Sequence, residues 1–143
     1  MVLYTCCSEQ VARAVVQDRF RLTSTAIGDL TDNMIPRLCE IEWTGPAVDV
    51  ASLDGIRAAG LPDTYPSGID KSVTQARGAD WHRDGHQSVV CRSASMWRIG
   101  WTAWSGLHEA WSELAVFVER AKRRPTLVRC RDDLEWLLPE GLK

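Results

Sequence analysis

The stretch "VVCRSASM", residues 89–96, decides how this chain is read. Its apolar start is strand-forming and stops at Arg92, and Ser93 and Ser95 then follow with one alanine between them. Two small hydroxyls at a strand end form either a turn or the lip of a binding site, and the neighbouring segments have to separate those readings. Upstream, Val73, Ala76, Ala79 and Trp81 fall at helical spacing, with Asp70 or Ser72 as the start and Gly85 as the stop. Downstream, residues 96–111 hold Trp97, Trp101, Trp104 and Trp111 with weak periodicity, which predicts a structured excursion. Beyond it "ELAVFVE" and "TLVRCR" read as strands separated by "RAKRRP", and Asp132 or Asp133 caps a last helix, "LEWLL".

The first half repeats this mixture. "VLYTC" is β-rich, Ser8 is a good N-cap, and Val11, Ala12, Val15, Val16 and Phe20 share one helical face. Residues 22–36 read as a loop, "LCEIEW" alternates as a half-buried strand, and "AVDV" adds a short one. Ser52 then caps the helix "LDGIRAA", which Gly60 closes. Strands and helices mix without the regular alternation of a doubly wound parallel sheet, so the predicted class is α+β, with small mixed sheets flanked by helices. At 143 residues, with no repeat or linker, one domain over residues 1–143 is expected.

Composition removes several function classes. Seventeen basic against nineteen acidic side chains give a net charge of -2, so no overall positive field recommends nucleic acid or an acidic membrane as a direct partner. The start "MVLYTCCSEQ" lacks a secretory signal, and no window approaches the ~20 apolar residues of a membrane span, so a cytoplasmic protein is expected. The five cysteines, Cys6, Cys7, Cys39, Cys91 and Cys130, are odd in number and scattered through hydrophobic runs; they are read as reduced packing residues.

The motifs that carry chemistry are few. His82 and His86 have i, i+4 spacing, but Gly85 interrupts them and no further ligands can be placed, so no metal is assigned. The chain has no Cys-x-x-Cys pair, Gly-rich dinucleotide fingerprint or phosphate-binding Gly-Lys-Ser/Thr motif. "KRR" reads as a solvated turn, and the four tryptophans read as core or as a partner interface.

In order, "LYTCCSEQVARAVVQDRF", "LCEIEWTGPAVDVASLDGIRAAGLP", "SVTQARGADWHRDGHQSVVCRSASM" and "ELAVFVERAKRRPTLVRCRDDLEWLLP" resemble successive blocks of the RES-domain family over nearly the whole chain. The resemblance implies an α+β fold related to ADP-ribosyltransferases, with a cleft for NAD+ as substrate. Many members are toxins of bacterial toxin–antitoxin pairs that destroy NAD+ and are restrained by an Xre-type antitoxin, and such proteins often form homodimers. Carried onto this chain, the family's first-strand tyrosine is Tyr4 and its serine is Ser93, with Ser95 as the alternative; Gln75 matches a packing or supporting position. Ser93 is thereby expected to be catalytic and to face the nicotinamide ribose, and Tyr4 and Ser93 are expected to bind NAD+.

Two departures accompany the match. The family's arginine lies upstream of the strand holding Tyr4, so the chain is expected to lack that N-terminal part, and its glutamate position falls on Val15, with Glu9 a turn and a half earlier. Cleaving the glycosidic bond of NAD+ builds positive charge on the ribose, which an anion stabilises and a valine does not. Arg19, Arg21 and Glu113 are the candidates to supply the missing charges. The competing expectation is a catalytically inactive, truncated RES-like protein that binds a partner through its tryptophan-rich segment.

Overall fold

In the computed structural model, residues 1–98 and 111–138 are described. Their order is β1 (Val2–Cys6), α1 (Glu9–Thr23), two 3-10 turns, β2 (Leu38–Glu42), β3 (Val48–Val50), α2 (Leu53–Ala58), α3 (Lys71–Arg83), β4 (Ser88–Arg92), α4 (Ala94–Arg98), β5 (Ser112–Phe117), β6 (Thr126–Arg131) and a final 3-10 turn (Glu135–Leu137). The α+β class predicted from the sequence is the one observed.

Local chemistry sets the helix starts. The Ser8 hydroxyl accepts from the Val11 N–H, the Ser52 hydroxyl from the Gly55 N–H, and the Asp70 carboxylate from the Ser72 N–H. Of the two starts considered for α3, Asp70 is the cap. The expected last helix is only the turn Glu135–Leu137, and the expected loop at residues 22–36 contains the turns Ile27–Asp29 and Asp32–Met34.

A four-stranded sheet has the order β1-β5-β4-β3, antiparallel except for the parallel β3–β4 pair. Beside it lies a two-stranded ribbon of β2 and β6. One cluster, built on Val50, Ile56, Leu61, Tyr65, Val89 and Phe117, joins the sheet to α2 and the following loop. A second joins α1 to α4 through Val11, Ala14 and Met96.

Two expectations are corrected. The buried positions of α1 are Val11, Ala14 and Asp18, so a carboxylate occupies the inward face where an apolar stripe was expected. Asp18 accepts from Arg98 Nε at 2.7 Å, from Arg21 Nη2 at 3.0 Å and from the Ser95 hydroxyl at 3.2 Å. These bonds meet the demand of a buried carboxylate for donors and opposite charge. Of the four tryptophans read as core or partner interface, Trp97 and Trp111 are half-buried, with Trp111 against the α1–α4 cluster, and Trp101 and Trp104 lie outside the described residues, among which Trp136 is the fully buried tryptophan. Finally, Cys39 and Cys130 form a disulfide. They sit directly opposite each other in the antiparallel ribbon with Cα atoms 4.1 Å apart, a juxtaposition that a sequence separation of 91 hides. Cys6, Cys7 and Cys91 stand outside the disulfide.

Candidate functional site

The site is assembled by register. On β5, Glu113 lies opposite Cys6 of β1 and Cys91 of β4, and Cys91 lies opposite Val50 of β3, so these four side chains form one row on one sheet face. Two residues beyond Cys91, Ser93 returns to that face by the strand's two-residue period. Its N–H donates to the Trp111 carbonyl at 3.2 Å, and its hydroxyl donates to Glu113 Oε1 at 2.6 Å while accepting from the Met96 N–H at 3.4 Å. Ser93 is 0% exposed, whereas Glu113 is half-buried.

The groups around this carboxylate are held neutral. Burial, with the charges of Glu113 and Cys7 adding, pushes the Cys6 thiol up to about 12, and burial together with Glu113 pushes Cys91 up to about 12. Burial is also the main cause that raises the Tyr65 phenol, followed by the neighbouring Cys91. Neither thiol is a thiolate near neutral pH, so neither is a ready nucleophile. Glu113 is the carboxylic side chain of a row whose other members are Cys6, Cys91 and Val50.

Arg92 explains why the opening stretch breaks where it does. Its guanidinium is buried and donates to the carbonyls of Ala51 at 2.9 Å, Asp63 at 3.2 Å and Tyr65 at 3.0 Å. It fixes the start of α2 and the Tyr65 loop against the end of β4. Tyr65 is thereby held beside Cys91 and Glu113.

Helix α3 stands over the same sheet face without burying any of its own residues, leaving a cleft of about 760 Å³. That volume is in the range of small-molecule sites, roughly 300–1,000 Å³. Val50 and Cys91, from the Glu113 row, line it together with Tyr4, Tyr65 and Trp81. A second cleft of about 710 Å³ separates β1 and α1 from the ribbon. Tyr4, 73% exposed on the edge strand, borders both.

The candidate residues therefore fall in different places. Tyr4 and Gln75 border the α3 cleft, and Ser93 lies buried behind Glu113. Ser95, the alternative serine, belongs to the Asp18 cluster. Val15 packs against the α1–α4 core, Glu9 pairs with Arg13 at 3.2 Å and with Arg131 at 3.3 Å, Arg21 pairs with Asp18, and Arg19 is exposed. Of the three residues considered as replacement charges, Glu113 is the one that meets Ser93. Sequence reasoning missed the environment of that pair, Cys6, Cys91 and Tyr65, whose signal is strand parity and becomes readable only once the β1-β5-β4 register is known. Among the described residues no three His, Cys, Asp or Glu side chains are grouped to hold a metal ion, and no helix is long and apolar enough to cross a membrane.

No protein-family model matches the chain, and no curated protein matches it in sequence. The structure is similar to a chain of the crystal structure of the M. tuberculosis MbcT–MbcA toxin–antitoxin complex, with a TM-score of 0.69 at 21% identity over 92% of this chain. The present chain spans 65% of the length of that chain. The likeness establishes a shared α+β fold.

Proposed function

We propose that this chain is a RES-like, toxin-type protein that acts on NAD+ by cleaving its glycosidic bond. The observation that carries the reading is the 2.6 Å hydrogen bond from Ser93 to Glu113 beside a nucleotide-sized cleft. When the bond from ribose to nicotinamide breaks, the electron pair leaves with nicotinamide and the ribose carbon gains positive charge, which a fixed carboxylate stabilises. Glu113 supplies that carboxylate where the family position holds Val15. Ser93, being buried, acts through Glu113 by fixing its rotamer, and Tyr4 contributes an aromatic wall and a hydroxyl at the cleft mouth. The fold shared with a component of a toxin–antitoxin complex favours an antitoxin as partner; that this antitoxin is of Xre type and that the chain forms a homodimer are parts of the same reading that come from the family resemblance.

NAD+ concentration followed over time with purified protein tests the reading. The native chain is expected to consume NAD+, Glu113→Gln to lose at least 100-fold in rate, on the order of one electrostatic stabilising group, and Ser93→Ala to lose less. Native-like rates in Glu113→Gln would remove Glu113 from the mechanism. The burial of Ser93 and the packing of Val15 favour the second reading, a non-catalytic partner-binding RES-like protein, and intact NAD+ with all three proteins would support it.

A further inference from the structure

We infer that Arg77, together with Lys71, forms an anion site in the α3 cleft that holds the diphosphate of a dinucleotide. The charge of the cleft departs from that of the molecule. The chain carries a net charge of -2, yet the cleft lining includes Lys71 and Arg77 and contains no aspartate or glutamate. The other cleft-lining arginines, all on the second cleft, are occupied: Arg37 by Asp132, Arg129 by Glu40, and Arg131 by Glu9 and Asp133. Arg77 and Lys71 have no ion pair among the described residues, and the Met1 ammonium at the cleft is taken by Glu119. Two exposed cations on a cleft whose lining holds no carboxylate, with Glu113 beside it on the sheet, make an attractive position for a polyanion.

The surroundings define which anion fits. Gly60, at φ +69°, leaves room for the Arg77 side chain, since a Cβ there would stand 3.2 Å from Nη2. This keeps the guanidinium beside Leu61 at the cleft wall. Its planar donor fork suits two phosphate oxygens, and the Lys71 ammonium adds a point charge from the first turn of α3. Gly78, next to Arg77, lines the same cleft with open space where its Cβ would be, so the helix backbone is approachable beside the guanidinium. Trp81, Tyr65 and Tyr4 supply aromatic walls for the ring systems on either side of the diphosphate. A phosphorylated ligand with aromatic ends matches this lining better than a free inorganic anion does. The identity of the ligand rests on the reading of the preceding section; the anion site stands on the charge distribution alone.

Titration calorimetry of the full chain with ADP-ribose, inorganic pyrophosphate and nicotinamide riboside tests the site, using the native protein, Arg77→Gln, Lys71→Gln and the double variant. Both positions are exposed helix residues, and glutamine keeps helix propensity, so folding is preserved. ADP-ribose is expected to bind the native chain, to weaken at least ten-fold in Arg77→Gln and further in the double variant, and to weaken with added salt. Nicotinamide riboside, which lacks the diphosphate, is expected to be unchanged by the substitutions, and pyrophosphate alone to bind more weakly than ADP-ribose. Failure of the native chain to bind ADP-ribose, an unchanged affinity in the double variant, or an equal loss for nicotinamide riboside would overturn the inference. ADP-ribose binding that depends on Arg77 in a chain that leaves NAD+ intact would retain the anion site and remove the proposed reaction. NAD+ consumption with an unaltered KM in the double variant would do the reverse.

Discussion

At the scale of single residues, Asp18 shows most clearly how a distant partner changes the meaning of a position. It is 3% exposed on α1, and burial alone would raise its pKa; the hydrogen bond and charge of Arg98, with the bonds from Ser95 and Arg21, outweigh that and lower it below the ordinary aspartate value of 3.8. A depressed folded-state pKa contributes stability that is present above the unfolded value and disappears as pH falls through the folded one. Asp18→Asn is therefore expected to cost about 3 kcal/mol at neutral pH, the scale of breaking a buried ion pair. The difference from the native chain should shrink below pH 3.8. Urea unfolding of both proteins at neutral and acid pH measures it, and a difference that does not change with pH would show that the charge of Asp18 is not what stabilises α1 against α4. None of this was legible in the sequence, because Arg98 lies 80 positions away and an aspartate at helical spacing reads as solvent-facing. Glu113 was only half legible: its strand was evident from alternation, but its neighbours depend on pairing register. Ser8 and Ser52, whose capping bonds are local, were read correctly for the same physical reason that the others were not.

Two glycines on helices, alike in the sequence, separate at the scale of elements. Gly55 opens α2 beneath β3, and a Cβ there would meet the Asp49 carbonyl oxygen at 2.2 Å and its carbonyl carbon at 2.8 Å, a backbone that cannot turn aside as a side chain would. Gly78 in α3 has nothing within 4 Å. Gly55→Ala is expected to destabilise by about 1–3 kcal/mol through overpacking, while Gly78→Ala stabilises by about 0.5–1 kcal/mol through helix propensity and reduced unfolded-state entropy. Thermal unfolding of the two variants should move in opposite directions, and a loss of stability in Gly78→Ala would mean that α3 sits closer to the sheet than the cleft implies. The contrast also explains α3 itself. Its helical pattern was readable from Val73, Ala76, Ala79 and Trp81, yet no residue on it is fully buried, because it roofs a cleft and meets the core at its end through half-buried Trp81 and the edge contact of His82 with Phe117. Periodicity reports that a helix forms; it does not report how far from the sheet it stands.

For the molecule as a whole, the question is how the β2–β6 ribbon is held to the rest. Two strands alone are marginal in water, and the ribbon's Arg129–Glu40 ion pair is exposed and so worth little. Arg131 links it to α1 through Glu9 at 3.3 Å, and Trp136, just past β6, is tied down by Arg13, whose Nε donates to the Trp136 carbonyl at 2.5 Å. The Cys39–Cys130 disulfide closes a sequence separation of 91 residues between the ribbon's strands. Closing a loop of that size restricts the unfolded chain and stabilises typically by about 2–4 kcal/mol. A reducing compartment, as expected from the sequence, opposes that bond, so its effect belongs to the balance between the two forms. Reduction, or the paired replacement Cys39→Ser with Cys130→Ser, is expected to release the amides of β2 and β6 to hydrogen exchange while β4 and β5 stay protected. The four-stranded sheet has its own core through Val50, Val89 and Phe117, and nothing in that core depends on the ribbon. Exchange that quickens equally in both sheets on reduction would show instead that the ribbon and the α3 cleft open as one cooperative unit, and ligand binding at Arg77 would then be sensitive to the redox state of a bond in a different sheet.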